Sequence, residues 1–215
     1  MDKSRATQIY KILENNYPGS HTALKFRNPL QMVIATILSA QCTDVRVNIV
    51  TVSLFKKYKT VDDFANAKQQ ELEQDIRSTG FYRSKARSII ETANIIKQKY
   101  NGKVPGKMED LLTLRGVARK TANIVLWNSF GIISGIAVDT HVTRLSYRLG
   151  LSKNKDQNKI EQDLMNLYEK EKWPHFTNYI ISHGRNICQA KKPMCKMCPL
   201  FSLCEKNGVD PKFYT

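Results

Sequence analysis

Long apolar runs are missing from this chain. None reaches the roughly 18 residues that a membrane span needs, and the opening MDKSRATQIYKILENNY has no apolar core of the kind a secretion signal carries. That opening reads as a helix with Ile9, Ile12 and Leu13 on one face. Internal repeats, low-complexity tracts and Gly/Ser linkers are absent as well, so composition marks no domain boundary. Acidic residues are scarce: 19 Asp and Glu stand against 34 Lys and Arg, a net charge of +15 over 215 residues. The 41% of hydrophobic residues and the nine tyrosines are not the composition of a disordered chain. They supply a core for one domain or two small lobes. With no targeting signal, the expected compartment is the cytoplasm, near the nucleoid, where thiols stay reduced.

The cationic surplus favours an anionic partner, nucleic acid being the commonest. Its distribution supports this, because the basic residues cluster in FKKYK (55–59), RSKAR (83–87), RGVARK (115–120) and a segment near the end. Most of the rest reads helical. SKARSIIETANIIKQKY puts Ala86, Ile89, Ile90, Ala93 and Ile96 on one stripe, and NKIEQDLMNLYEK does the same with Ile160, Leu164 and Leu167. Pro29 suits the first position of PLQMVIATILSA, which is apolar nearly all round, as a central buried helix would be. In VRVNIVTVSLF, Val45, Val47 and Ile49 alternate as a strand would, but Val45, Ile49, Val52 and Phe55 also fit a helical stripe. No second strand is available to pair with it, so the expected class is all-α.

Four of the five cysteines crowd into CQAKKPMCKMCPLFSLC, at Cys188, Cys195, Cys198 and Cys204. In a reducing compartment metal ligation explains such a cluster better than disulfides do. A structural zinc site usually joins two close pairs across a longer insert. Here one close pair has a single cysteine on either side, which suits a loop wrapped around a cubane with several iron corners. Spacing favours iron–sulfur over zinc and leaves both open. Cys42, inside the apolar stretch, reads as a small buried side chain.

With SHGRNIC before it, this cysteine loop resembles that of the endonuclease III family of base-excision DNA glycosylases. LSAQCTD (38–44), GFYRSKA (80–86), LRGVARKTAN (114–123) and AVDTH (137–141) follow in the family's order and at close to its spacing, so the resemblance spans nearly the whole chain. It implies two α-helical lobes with a DNA-binding cleft between them: a six-helix lobe over 21–133, and a cluster lobe of 1–20 with 134–215. The four cysteines would hold a structural [4Fe-4S] cluster that orders a basic loop, aiming Lys191, Lys192 and Lys196 at phosphates. Solvated lysines on a tight loop are the simpler role for those three.

By the same resemblance, LRGVARK is a helix-hairpin-helix turn. Arg115, Gly116, Val117, Ala118 and Arg119 would present backbone N–H groups to phosphate at a helix start. Arg115 replaces the family's proline and Ala118 its second glycine; a left-handed backbone at Ala118 would cost about 1 kcal/mol, and the charge of Arg115 would offset some of the lost phosphate affinity. Lys120 matches the nucleophile. An attacking amine must be neutral, which burial, a helix N-terminus and Arg119 would favour. Phosphate contact is its simpler role. Asp139 matches the aspartate that stabilises charge on the sugar, and as a helix N-cap it would have a second role compatible with the first. His141 reads as a first-turn residue beside the DNA. Gln41 and Phe81 match positions that fill the duplex once a base has swung out, although Phe81 also suits a core aromatic. Asp44 matches a pocket aspartate or simply caps the next helix.

The implied activity is bifunctional: removal of oxidised pyrimidines from duplex DNA, and β-elimination at the abasic site, by a monomer with no membrane contact. The rivals are a monofunctional mismatch glycosylase, which typically lacks the lysine, and a non-catalytic DNA-binding or redox-sensing protein on the same cluster. An adenine-specific relative needs a carboxylate that LQMVIATILSAQC does not contain.

Overall fold

Helix follows helix along the chain. The computed structural model describes residues 2–215, and none of the described residues lies in a β-strand. In chain order the helices are α1 (Lys3–Asn16), α2 (Pro29–Leu38), α3 (Asp44–Lys57), α4 (Val61–Ala65), α5 (Gln69–Asp75), α6 (Tyr82–Lys99), α7 (Met108–Leu111), α8 (Arg119–Phe130), α9 (Thr140–Arg148), α10 (Gln157–Leu167) and α11 (Trp173–Asn186). Chain contacts divide them into an inner unit, Thr22–Ser134, and a terminal unit formed by the N-terminal residues through His21 with Gly135–Thr215. Among the described residues no helix is long and apolar enough to cross a membrane.

The inner unit is built around α2. Asn28 starts that helix by accepting from the Gln31 amide at 2.9 Å, and Pro29 occupies the first turn, where its missing N–H costs nothing. Every residue of α2 from Met32 to Leu38 is buried, as its all-round apolar composition requires. The helix stops at Leu38, so Cys42 falls in the following turn, half-buried against the core, and not inside the helix as the apolar run suggested. Along α6, Ala86, Ile89, Ala93 and Ile96 are buried, and the half-buried Ile90 packs beside them. The inner unit contains seven α-helical segments among its described residues, α7 being a single turn, where the resemblance implied six.

α3 is a helix, but it buries a different face from the expected one. Val47, Val50, Thr51 and Leu54 turn inward, while Val45, Ile49 and Val52 are 71%, 57% and 59% exposed. Both stripes are apolar at helical spacing, so periodicity could not choose between them; packing against α2 did. Thr43 supplies the N-cap, accepting from the Arg46 amide at 3.3 Å, which leaves Asp44 as a first-turn residue and not the cap.

In the terminal unit, α1 contributes Ile9 and Leu13 to a core shared with Leu145, Ile160, Leu164, Phe176 and Ile180. Arg5 fastens this helix to the far end of the chain. Its guanidinium donates to the carbonyls of Leu149, Gly150 and Leu203 and to the Glu205 carboxylate, the last at 2.8 Å. Gly150 makes this possible: it has φ +69°, and a Cβ there would lie 2.0 Å from the Glu205 carboxyl carbon.

The choice of α3 face gives a stability test by urea unfolding. Leu54→Ala, at a site only 1% exposed, should cost about 2–5 kcal/mol, whereas Ile49→Ala should stay within about 0.5 kcal/mol of the parent. The reverse order would place the buried stripe at Val45, Ile49 and Val52.

Candidate functional site

In the inner unit the stretch 114–120 is a tight hairpin. Leu114 and Val117 are buried and anchor it, Gly116 turns it at φ +78°, and the Thr92 hydroxyl donates to the Arg115 carbonyl at 2.8 Å. Arg115 does not offer a free charge. Its guanidinium grips both Glu91 carboxylate oxygens at 2.8 and 2.6 Å. Ala118 lies at φ −87°, ψ 172°, so the strain feared for an alanine is absent. It occupies the N-cap of α8, and no side chain there hydrogen-bonds to the first turn. Arg119 and Lys120 follow, both half-buried, in that first turn.

Two further candidate residues of this unit share an uncommon backbone. Gln41 has φ 52° and Phe81 has φ 48°, both left-handed, and both side chains are exposed. Phe81 is 64% exposed, which excludes it from the core.

In the terminal unit Asp139 caps α9. Its Oδ1 accepts from the His141 and Val142 amides, each at 2.8 Å. Its Oδ2 stands 3.4 Å from His141 Nδ1, poorly aligned for a hydrogen bond. His141 is held against Gly184, where a Cβ would come within 2.8 Å of the imidazole.

The same unit folds Cys188, Cys195, Cys198 and Cys204 around one cavity of about 410 Å³, part of it open to solvent. Burial and the neighbouring thiols push Cys198 up to about 11 and raise Cys195 and Cys204. Arg148, itself buried, donates to Cys188 Sγ at 3.4 Å and to the carbonyls of Gln189 and Ala190 at 2.8 and 2.9 Å. His183 Nε2 lies 3.5 Å from Cys198 Sγ, and its Nδ1 is 3.0 Å from the Tyr17 hydroxyl. Among the described residues no three Cys, His, Asp or Glu side chains converge as one metal ion would require. Lys191, Lys192 and Lys196 are exposed on the surrounding loop.

Residues 34–170 match the profile of the HhH-GPD superfamily base excision DNA repair proteins. The chain is 52% identical to the endonuclease III of Synechocystis, over 94% of this chain and 92% of that one. It superposes on a solved non-covalent endonuclease III–DNA complex with a TM-score of 0.92, 43% identity and 96% of each chain covered. A trapped endonuclease III–DNA covalent intermediate gives the same TM-score and identity, over 96% of this chain and 97% of that one. The chain belongs to the endonuclease III family.

As a member it is a DNA-repair enzyme, a DNA glycosylase with abasic-site lyase activity. The endonuclease III family is generally associated with an iron–sulfur cluster, and four of the five cysteines here line a single cavity. Of the expected site residues, Gln41, Asp44, Phe81 and 115–120 belong to the inner unit; Asp139, His141, the cysteines and the loop lysines belong to the terminal one. Sequence reading missed Arg148 and His183, whose side chains reach Cys188 and Cys198. The only signal for Arg148 was a cation in an otherwise amphipathic helix, which says nothing about a partner forty residues on.

Gly116→Ala tests the hairpin. A side chain there must hold φ +78° and meet the Ser88 Cβ at 3.3 Å, so the variant should lose about 1–2 kcal/mol in urea unfolding and bind undamaged duplex more weakly. Stability equal to the parent's would mean the turn does not need that backbone.

Proposed function

We propose that this endonuclease III excises oxidised pyrimidines from duplex DNA in the cytoplasm and then nicks the strand 3′ to the lesion, with Lys120 as nucleophile. The observation that carries this reading is the setting of Lys120: it is half-buried in the first turn of an α8 whose N-cap offers no side-chain acceptor, directly after the Gly116 turn. A helix start presents N–H groups that bind a phosphate oxygen without reading sequence. A lysine beside that phosphate stands within reach of the adjoining sugar.

The steps balance as follows. The neutral Nζ attacks C1′, and the glycosidic bond breaks, its electron pair leaving with the base, which takes up a proton. Ring opening gives an imine between Nζ and C1′. Loss of a C2′ proton then expels the 3′ phosphate, and water releases the enzyme. Asp139 has committed Oδ1 to two helix amides, so in this reading Oδ2 faces the positive charge that develops on the sugar. Gln41 and Phe81 fill the gap in the stack, recovering part of the few kcal/mol that extrusion costs. Asp44 and His141 flank the DNA, and Lys191, Lys192 and Lys196 meet phosphates.

Cys188, Cys195, Cys198 and Cys204 fit a 4Fe–4S cluster. Four thiols ring one cavity without converging on a point, and burial raises Cys195, Cys198 and Cys204, which favours their thiols unless a cationic group holds them as thiolates. When bound, the cluster supplies cross-links that order the loop. Purified protein should contain iron and sulfide in equal amounts and no zinc, and Cys198→Ser should lose the visible colour and loosen the terminal unit. One zinc per chain would overturn the assignment.

Lys120→Ala should abolish both the borohydride-trapped protein–DNA adduct and nicking, with iron content unchanged. Lys120→Gln should do the same without leaving a cavity. Asp139→Asn should keep DNA binding and slow base release by about 10²–10⁴, since asparagine caps a helix about as well as aspartate. An adduct persisting in Lys120→Ala and mapping to another amine would displace Lys120. A wild-type rate in Asp139→Asn would leave Asp139 as a cap alone.

A further inference from the structure

The basic run RSKAR does not lie wholly on the surface. Arg83 and Arg87 are exposed, but Lys85 between them is 5% exposed, on the buried face of α6. A buried ammonium normally needs a carboxylate. Among the described residues none is paired with this one. Its partners are two main-chain carbonyls: Nζ donates to Leu38 O at 2.8 Å and to Thr79 O at 2.9 Å. Burial lowers the Lys85 pKa, as expected for an ammonium held by carbonyls alone.

Those two carbonyls are not arbitrary. Leu38 is the last residue of α2, and Thr79 is the last residue of the 3-10 turn Arg77–Thr79. A helix end leaves its final carbonyls without intrahelical partners and carries the negative end of the dipole, so a cation is favoured there. Lys85 caps two such ends at once. Each end runs at once into a residue with left-handed backbone and an exposed side chain: Gln41, three residues after Leu38, and Phe81, two after Thr79. Non-glycine residues hold that conformation only where their surroundings impose it. Lys85 also reaches the second loop through its backbone, its own amide donating to Phe81 O at 3.0 Å.

We propose that Lys85 is a positioning residue for base extrusion: its buried ammonium ties the ends of α2 and the 77–79 turn into one frame, so that Gln41 and Phe81 are presented to the duplex as a fixed pair. This rests on the reading of Gln41 and Phe81 as the residues that fill the stack. Two side chains on independent loops would each lose freedom on insertion, whereas a pair locked in advance has already lost it. Lys85 is buried and bonded to main-chain carbonyls, so its effect runs through Gln41 and Phe81 and falls on the step that opens the helix.

The test uses the cluster-loaded protein and a duplex with an oxidised pyrimidine beside 2-aminopurine, whose fluorescence rises when its neighbour leaves the stack. Lys85→Met keeps a long apolar stem and removes the donors. It should slow the fluorescence rise and strand nicking by about 10–100-fold, the scale of a roughly 1 Å misplacement, while iron content and affinity for undamaged duplex change by less than twofold. A loss of fold alone would move those two controls instead. Phe81→Ala and Gln41→Ala run in parallel. If they slow the rise and Lys85→Met does not, the inference about Lys85 fails and the stack-filling reading stands. If neither alanine variant slows it, that reading fails and takes the inference with it. Should Lys85→Met not fold, hydrogen exchange on the wild-type protein decides. The Cys42 amide, bonded to Ser39 O, and the Gly80 amide, bonded to Arg77 O, should open together with one free energy and one denaturant dependence. Independent opening of the two would overturn the proposal.

Discussion

An α-helix leaves its first amides and last carbonyls unbonded, and a protein built only of helices has to answer for every one of those ends. Several residues with a candidate role here lie at or beside such ends. Lys120 stands in the first turn of α8, whose start no side chain caps. Asp139 is the cap of α9, with one carboxylate oxygen used by two amides and the other turned toward His141. Gln41 follows the end of α2, and Phe81 precedes α6. The helix ends thus supply positive potential for phosphate, a fixed carboxylate and two protruding side chains, while the helix bodies supply the core and the side chains that brace the neighbouring loops.

The terminal unit shows what happens where helices run out. After α11 the chain forms only short 3-10 turns at Cys195–Met197, Phe201–Leu203 and Pro211–Phe213, and buries few large apolar side chains, chiefly Leu200 and Val209. A stretch so poor in core cannot hold one conformation by burial alone. Cross-links replace it: Arg148 gathers the carbonyls of Gln189 and Ala190, Arg5 gathers those of Leu149, Gly150 and Leu203, and four thiols close around the cavity. Burial raises Cys195, Cys198 and Cys204, so a cationic group that took those three as thiolates would add a further cross-link to the loop.

Much of this was legible before the structure. The stripes of α1, α6 and α10 follow from spacing, because each has one apolar face and one charged face. The face of α3 was not legible, since Val45–Ile49–Val52 and Val47–Val50–Leu54 are equally apolar and only the position of α2 separates them. Arg115 read as a charge free for phosphate, because its partner Glu91 lies on another element. Lys85 read as one cation of a basic surface for the same reason: its carbonyl partners at Leu38 and Thr79 carry no sequence signal at all. Side-chain chemistry is written in the sequence. The backbone groups that receive it are not.

That asymmetry bears on how the inner unit could open a duplex. Holding Gln41 and Phe81 in the left-handed region costs roughly 1–2 kcal/mol each, and extruding a base costs a few more. The two costs fall at different times. The strain at φ 52° and φ 48° is already present in the free protein, where the fold sustains it. The stacking loss arises only on DNA, and inserted side chains offset it best if they need no further ordering. A flexible pair of loops would be more stable in the free state and would meet both costs at the moment of extrusion. The observed arrangement separates them, and it can do so because the ends of two helical segments share a single buried ammonium.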